Sequence, residues 1–337
     1  MGYERVEWAA GDDREVGCVA GLDLGKAELS CCVQQADPDH PGRLTRQVST
    51  WSTMTGALSE LAAMLVSVGV QLVAMEATSE YWKPVYYRLE AHGLNVIVVN
   101  AKHFKHLPGR PKTDKLDSQW LARLAGKGLL RPSFVPPPDI RALRDLTRDR
   151  ADLVDQRTAN KNRVEKLLED ACIKLSVVVS DVFGVSGRAM MEALIQGERD
   201  PDMLAEMAKS SLRRKKTALV EALTGMFTQH HGFRLKLLLD RIDALSADIA
   251  ALDRRIDQVI APYDHQRQQL ETIPGVSHVA AAALIGEIGA DMSRFPTAAN
   301  LASWAKYAPG VNESAGKTTG TRSTGKGNKY ILSSLIS

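Results

Sequence analysis

The stretch GLDLGKAELSCCV, Gly21 to Val33, decides the fold of the first part of the chain. Ahead of it Val16, Cys18, Ala20 and Leu22 recur at every second position, the period of a half-buried strand, and lead into Asp23. Gly25-Lys26 supplies a turn, and Ala27 to Gln34 returns as the second strand of a hairpin. Thr45 to Trp51 predicts a third strand. Further along the signals alternate: helical period over Met54 to Val66, a short buried strand over Gln71 to Ala77, a helix over Tyr81 to Ala91, and a buried strand over Asn95 to Asn100. Lys112 to Lys127 predicts another helix, with Leu116, Trp120, Leu121 and Leu124 inward. A hairpin followed by α/β alternation points to a mixed sheet covered by helices.

Pro132 and the Pro136-Pro137-Pro138 run close this part, giving a first domain over residues 1–131. A helical domain follows over 139–262. Leu143, Leu146, Leu153, Val164, Leu167 and Ala171 keep helical spacing, and Leu238, Ile242, Leu245, Ile249, Leu252, Ile256 and Val259 alternate by four and three without a break. Three heptads of that regularity predict a coiled coil, and with it a homo-oligomer, dimer or tetramer, joined through that helix. Between the two stretches lies a basic knot, Arg213 to Lys216. The third domain, 263–337, opens with a turn at Thr272 to Val276 leading into a helix, as in a helix-hairpin-helix. Pro309 to Lys329 is rich in Gly, Ser, Thr and Lys and predicts a loop. The last residues, Leu335 to Ser337, stand inside an apolar helical pattern with no cap, so a continuation beyond Ser337 is expected.

Over 337 residues, 44% hydrophobic and 25% charged, the composition is that of an ordinary globular protein of two or three domains. No apolar run approaches the roughly 18 residues of a membrane span. Met1 to Arg14 lacks the apolar core of a signal peptide, so a cytoplasmic location is expected. The four cysteines, Cys18, Cys31, Cys32 and Cys172, form no CxxC pair and read as reduced structural thiols. Net charge is only +3, but it is unevenly spread. From Lys102 to Lys174 there are 17 Lys/Arg against 10 Asp/Glu, and from Leu301 onward five against Glu313 alone. Basic stretches beside an acidic constellation suit a phosphate-backbone ligand.

That constellation has four members. Asp23 ends the first strand, Glu76 ends the strand LVAME, and Asp114 and Asp117 open the helix in KTDKLD. Three residues turn a helix by about 300°, which leaves the two aspartates ~60° apart on one side. Clustered acids repel one another unless cations sit among them, and Mg²⁺, a hard ion that prefers carboxylate oxygen, is the natural occupant. Two such ions ~3.5–4 Å apart serve phosphoryl transfer. Lys102, Lys105, Arg110, Lys112 and Lys115 surround these acids as candidates for nucleic-acid contact, as do Arg213, Arg214, Lys215, Lys216, Lys317 and Lys326 further on.

GLDLGKAELSCCV, AMEATSEYW, VVNAKHFK and KTDKLDSQWLARL resemble the DEDD motifs of the insertion sequence 110 family of transposases, relatives of the pilin-gene invertase. TIPGVSHVAAAALIGEIG, ANLASWAKYAPGV, NESAGK and STGKGNKYILSSL resemble that family's C-terminal transposase domain. The resemblance implies an RNase H/RuvC-like domain, a coiled-coil insertion and a small helical transposase domain. It implies that Asp23, Glu76, Asp114 and Asp117 form the metal-binding tetrad and that Ser314 is a nucleophile. It also implies a DNA transposase or site-specific recombinase acting on donor and target DNA, with a structured guide RNA choosing the sites. The chain departs from the family at Ser79, where Gly commonly follows the Thr of the tetrad motif. Three other functions compete. A sugar-kinase or chaperone-type ATPase would use Gly21 and Gly25 at a phosphate, a RuvC-type nuclease would use the tetrad alone, and a scaffold would use only the coiled coil.

Overall fold

A computed structural model describes residues 17–40, 43–100, 114–308, 310–314, 317–322 and 327–336, which fall into two compact units, Met1–Val135 and Pro136–Ser337. Among the described residues of the first unit five strands and three helices follow in order: β1 (Val19–Leu24), β2 (Glu28–Ala36), β3 (Leu44–Ser52), α1 (Thr55–Ser67), β4 (Leu72–Glu76), α2 (Trp82–Ala91), β5 (Val96–Val99) and α3 (Asp114–Gly126). The strand order is β3-β2-β1-β4-β5. β2 is antiparallel to both of its neighbours, β1 and β3, and β4 and β5 run parallel to β1. A meander continued by two parallel strands is the RNase H-like mixed sheet.

Side-chain alternation divides this sheet into two faces. Ala20, Leu22, Leu24, Leu29, Cys31, Val73, Met75, Val96 and Val98 build the larger core with Leu58, Leu61 and Leu65 of α1 and Val85 and Leu89 of α2. Val19, Leu72 and Ala74 point the other way and meet Ala125 of α3, while Val99 meets Leu121 and Leu124. Gly21 lies on this second face. A Cβ there would overlap the Ser118 carbonyl and the Ala122 amide and stand 3.0 Å from Leu121 Cβ. Only glycine lets the backbone of α3 lie this close to β1. Leu116, expected inward, is 37% exposed because it precedes the turn of α3 that meets the sheet. Cys31 and Cys32 are buried; burial pushes their thiols up to about 12 and about 11, which suits packing rather than reaction.

The second unit is built on two long helices, α4 (Pro138–Asp170) and a later partner. Between them come α5 (Leu175–Val178), α6 (Val185–Gln196), α7 (Pro201–Ala205) and α8 (Lys216–Leu223), and the partner is α9 (Gln229–Ile260). The two long helices run antiparallel: Val164 and Leu167 share a core with Leu235, Leu239 and Ile242, and Ile140 and Leu143 share one with Ile256 and Ile260. Arg150 pairs with Asp253 between these ends. The heptad residues Ile242, Leu245, Ile249 and Ile256 are buried. The seam expected to join copies of the chain is therefore covered within one chain, since heptads specify a helical partner but not which molecule supplies it. His230 and His231 open α9, where Thr228 and His231 form a reciprocal cap.

The chain continues through α10 (Asp264–Glu271), α11 (His278–Ile288), α12 (Ala298–Trp304), β6 (Gly310–Ser314), β7 (Lys317–Arg322) and α13 (Lys329–Ile336). Gly275, at φ +88°, makes the turn into α11, and Ser277 Oγ caps that helix by accepting from Ala280 N. Every residue from Ala280 to Ile288 is buried. Ala282 and Ile285 pack on Ile140 and Leu143 of α4, and a Cβ at Gly286 would lie 3.2 Å from Arg144 Cα. The segment expected to be a loop after Pro309 instead pairs as the antiparallel hairpin β6–β7, with a register shift at Asn312/Glu313. Among the described residues no helix is long and apolar enough to cross a membrane.

Two outcomes are expected. Gly21→Ala forces α3 off β1 and costs about 3 kcal/mol, read by chemical denaturation; unchanged stability would mean the helix does not approach so closely. Ile249→Asp places a charge in the intrachain seam and costs roughly 3 kcal/mol or more, read as a lower thermal midpoint. A halved mass by light scattering with an unaltered midpoint would assign the seam to a second copy.

Candidate functional site

Strand pairing fixes the acids at one end of the sheet. Leu22 of β1 is level with Met75 of β4, so Asp23 and Glu76 each stand one residue further along neighbouring parallel strands. Asp23 is paired with Ser30 and Glu76 with Val99. Parity sets their face: Asp23 alternates with Val19 and Gly21, and Glu76 with Leu72 and Ala74, all on the side covered by α3. Both acids are half-buried.

α3 runs antiparallel to β1. Its start lies over the end of the strand, where Ser118 meets Gly21, and its last residue, Gly126, lies over Val19. A buried contact of 3.1 Å between the Ser30 and Ser118 hydroxyls fixes the height of the first turn beside Asp23. Asp117 precedes Ser118 and falls on the helical stripe of Leu121 and Leu124, which packs on Val99, the strand partner of Glu76. Asp23, Glu76 and Asp117 thus share one face and one end of the sheet, and Asp114 heads the same helix. Among the described residues no group of three His, Cys, Asp or Glu stands close enough to hold a metal ion. The donor type, carboxylate oxygen throughout, is that of a hard divalent cation.

The loop that leaves Glu76 carries backbone strain. Ser79, the position where the resemblance expects glycine, has φ +47°, the left-handed region that favours glycine. Gly21 and Gly25 have structural uses of their own. Gly21 admits α3, while Gly25 donates its amide to the Glu28 carbonyl (2.9 Å) in the hairpin turn, where a Cβ would lie 2.7 Å from that oxygen. The glycines that an ATPase would spend on a phosphate are engaged in the fold.

Ser314 is the last residue of β6, and its partner across the hairpin is Lys317. Of the basic candidates, Lys102, Lys105, Arg110, Lys112 and Lys326 lie outside the described residues, and Lys115 enters only as a position in α3. The basic knot is largely tied into its own unit: Arg213 donates to the Ala208 carbonyl, Lys215 to the Val178 carbonyl, and Lys216 pairs with Glu206. Arg214 is exposed.

One buried cluster stands apart from the residues that motif and spacing single out. Glu287, 1% exposed, receives two hydrogen bonds from Arg148, at 2.6 and 2.9 Å, and one from Asn328 Nδ2 at 2.6 Å. Arg144 donates to the carbonyls of Gly286 (2.9 Å) and Glu287 (2.7 Å), the unpaired end of α11. Burial alone would raise the Glu287 carboxyl; the hydrogen bonds from Arg148 and Asn328 and the charges of Arg148 and Arg144 outweigh it and hold the group below the ordinary carboxylate range. The one available signal was the acid at the end of an otherwise apolar helix, VAAAALIGEIG.

Two family models match this chain: a DEDD-type insertion sequence 110 model described as Transposase over residues 20–173, and one described as Transposase IS116/IS110/IS902 family over 267–337. The insertion element IS116 uncharacterized 44.8 kDa protein of Streptomyces clavuligerus is 28% identical over 251 residues, 69% of this chain and 62% of that protein. The transposase for insertion sequence element IS1111A of Coxiella burnetii is 23% identical over 325 residues, 94% of this chain and 76% of that protein. The chain therefore spans less than two thirds of the first relative's length. Among solved structures, Thermus thermophilus RuvC overlays with a TM-score of 0.27 at 16% identity, covering 34% of this chain and 99% of RuvC. T. thermophilus RuvC in complex with a Holliday junction substrate overlays with a TM-score of 0.26 at 17% identity, covering 35% and 100%. These overlays are too loose to add to the strand order, which stands on its own. Through two models of one family, matching residues 20–173 and 267–337, the chain belongs to the IS116/IS110/IS902 transposases.

Proposed function

We propose that the chain is a metal-dependent DNA transposase, a recombinase that cuts and rejoins DNA strands with a carboxylate tetrad and a serine. The observation that carries this reading is the shared end and face of Asp23, Glu76 and Asp117, at the close of two neighbouring parallel strands and the first turn of α3. Asp23, Glu76, Asp114 and Asp117 would hold one or two divalent ions, with Mg²⁺ the best match to an all-carboxylate donor set. When bound, such ions supply charge stabilisation at a phosphate under attack. The mutual repulsion of the acids is the cost of keeping that site ready.

Ser314 is the nucleophile in this reading. Its Oγ forms a bond to phosphorus as the bond from phosphorus to one sugar oxygen breaks, the serine proton leaving to a base and the sugar oxygen departing as the leaving group. The phosphoserine ester conserves the energy of the broken bond, so attack by a second sugar hydroxyl rejoins the strand and releases the serine. The basic stretch around Lys102, Lys105, Arg110, Lys112 and Lys115, with Lys317 and Lys326, would contact phosphates, as would the exposed knot Arg213, Arg214, Lys215 and Lys216. Site choice by a structured guide RNA, which rests on the resemblance of the motifs to the family, and assembly into a homo-oligomer, which is expected from the heptads alone, complete the proposal.

Asp117→Ala is expected to abolish strand cleavage and sharply lower calorimetric Mg²⁺ binding while leaving the fold intact, since removing one of several repelling acids relieves strain. Full cleavage by this variant would exclude the tetrad. Ser314→Ala should keep Mg²⁺ binding but lose the phenol-extractable protein–DNA adduct. If Ser314→Ala still forms that adduct, the serine is not the nucleophile, and a RuvC-type nuclease using only the acids becomes the better reading.

A further inference from the structure

We propose that Glu287 is a positioning residue for Ser314, acting through Asn328 to clamp together the two ends of the segment that carries the serine hairpin. The proposal rests on the reading of Ser314 as the nucleophile. The hairpin β6–β7 leaves the helical core after Tyr307 and returns to it at Gly327. At that neck Tyr307 Oη donates to the Asn328 carbonyl at 2.7 Å and Asn328 N donates to the Ala305 carbonyl at 3.3 Å. A Cβ at Gly327 would lie 2.7 Å from Tyr307 Cε1 and 3.1 Å from the Ala305 carbonyl, so the two ends of the segment touch.

Asn328 joins this neck to the core. Its Oδ1 accepts from Tyr330 N at 3.0 Å and caps α13, and its Nδ2 donates to Glu287 Oε2. Glu287 is fixed in turn by the two-pronged Arg148, whose guanidinium lies 4.8 Å over the Tyr330 ring. Lys329 reaches Asp152 of α4 at 3.0 Å, a second tie on the same return. The side chain next to the hairpin's exit is thus held by a charge that has no aqueous alternative. A serine that must reach a phosphate in line loses rate steeply with small misplacement, which gives such a clamp a use beyond stability.

Asn328→Asp isolates the clamp. It keeps the size and the capping oxygen but sets a carboxylate against Glu287 in place of a donor. In the full-length chain with its DNA and RNA, amide hydrogen exchange over residues 310–322 should speed up about tenfold, the effect of losing one charge-assisted hydrogen bond. Exchange in α9 and affinity for DNA should hold, while the rate of adduct formation at saturating DNA should fall by a similar factor. Glu287→Gln combined with Asn328→Asp again sets a donor against an acceptor across the neck, although Arg148 Nη2 loses its own acceptor at the same position, so it should restore the hairpin's exchange and the adduct rate in part. The proposal is overturned by an unchanged hairpin, by equal loosening of α9, by a loosened hairpin with an undiminished adduct rate, or by failure of the paired exchange to rescue. An adduct that survives Ser314→Ala would remove the nucleophile reading instead, and the exchange data would still show whether the neck is clamped.

Discussion

A carboxylate that solvent barely touches costs several kcal/mol unless its lone pairs are answered, and Glu287 meets that demand with three directed hydrogen bonds from Arg148 and Asn328. The second unit is arranged around this condition. α11 can surround itself with protein because alanines and Gly286 let α4 come close, and Arg144 answers the carbonyls that the buried helix end would leave unpaired. The ion pair thereby ties the start of α4, the end of α11 and the return of the serine hairpin to a single point. Its contribution is present above the ordinary carboxylate range and is lost as pH falls through the depressed value, since the folded chain prefers the charged form.

The first unit depends on a contact of the opposite character, apolar and backbone to backbone. Gly21 removes the one atom that would hold α3 away from β1. The same approach sets the first turn of the helix beside the end of the sheet, where Asp23 and Glu76 leave adjacent strands. This close approach lies two residues from Asp23, so a displacement of the helix displaces Asp117 with it. Ser79 adds strain to the loop leaving Glu76, at a place where a glycine would carry none.

What could be read from the sequence and what could not follow from the range of each signal. The strands of the sheet and the three helices around it were legible because Ala20, Leu22, Leu58 and Leu61 write their burial into local periodicity. The acids were legible because strand ends and helix starts are local features. The hairpin carrying Ser314 was not: Gly310–Ser314 and Lys317–Arg322 have no apolar alternation, and their pairing is made by backbone groups. The heptads of α9 announced a seam but not that α4 of the same chain fills it. Glu287 was passed over because its partners Arg148 and Asn328 lie 139 and 41 residues away, and no local pattern links an acid to a base at that distance.

That separation also dictates an order of assembly during synthesis. The sheet's own contacts are complete by Val135, and the far ends of α4 and α9 can close as a helical hairpin once Ile242 has emerged. The near end cannot follow until Ala282 and Ile285 are made, because Arg144 waits for a carbonyl 142 residues downstream. Contacts of that span are the slowest to form. The neck of the serine hairpin closes later still, when Asn328 arrives to meet Glu287. A chain interrupted before that point carries its sheet-borne acids without the bond that joins Asn328 to Glu287. On the proposed reading of Ser314 as nucleophile, the group that would hold a cut strand covalently is therefore the last to be brought under control.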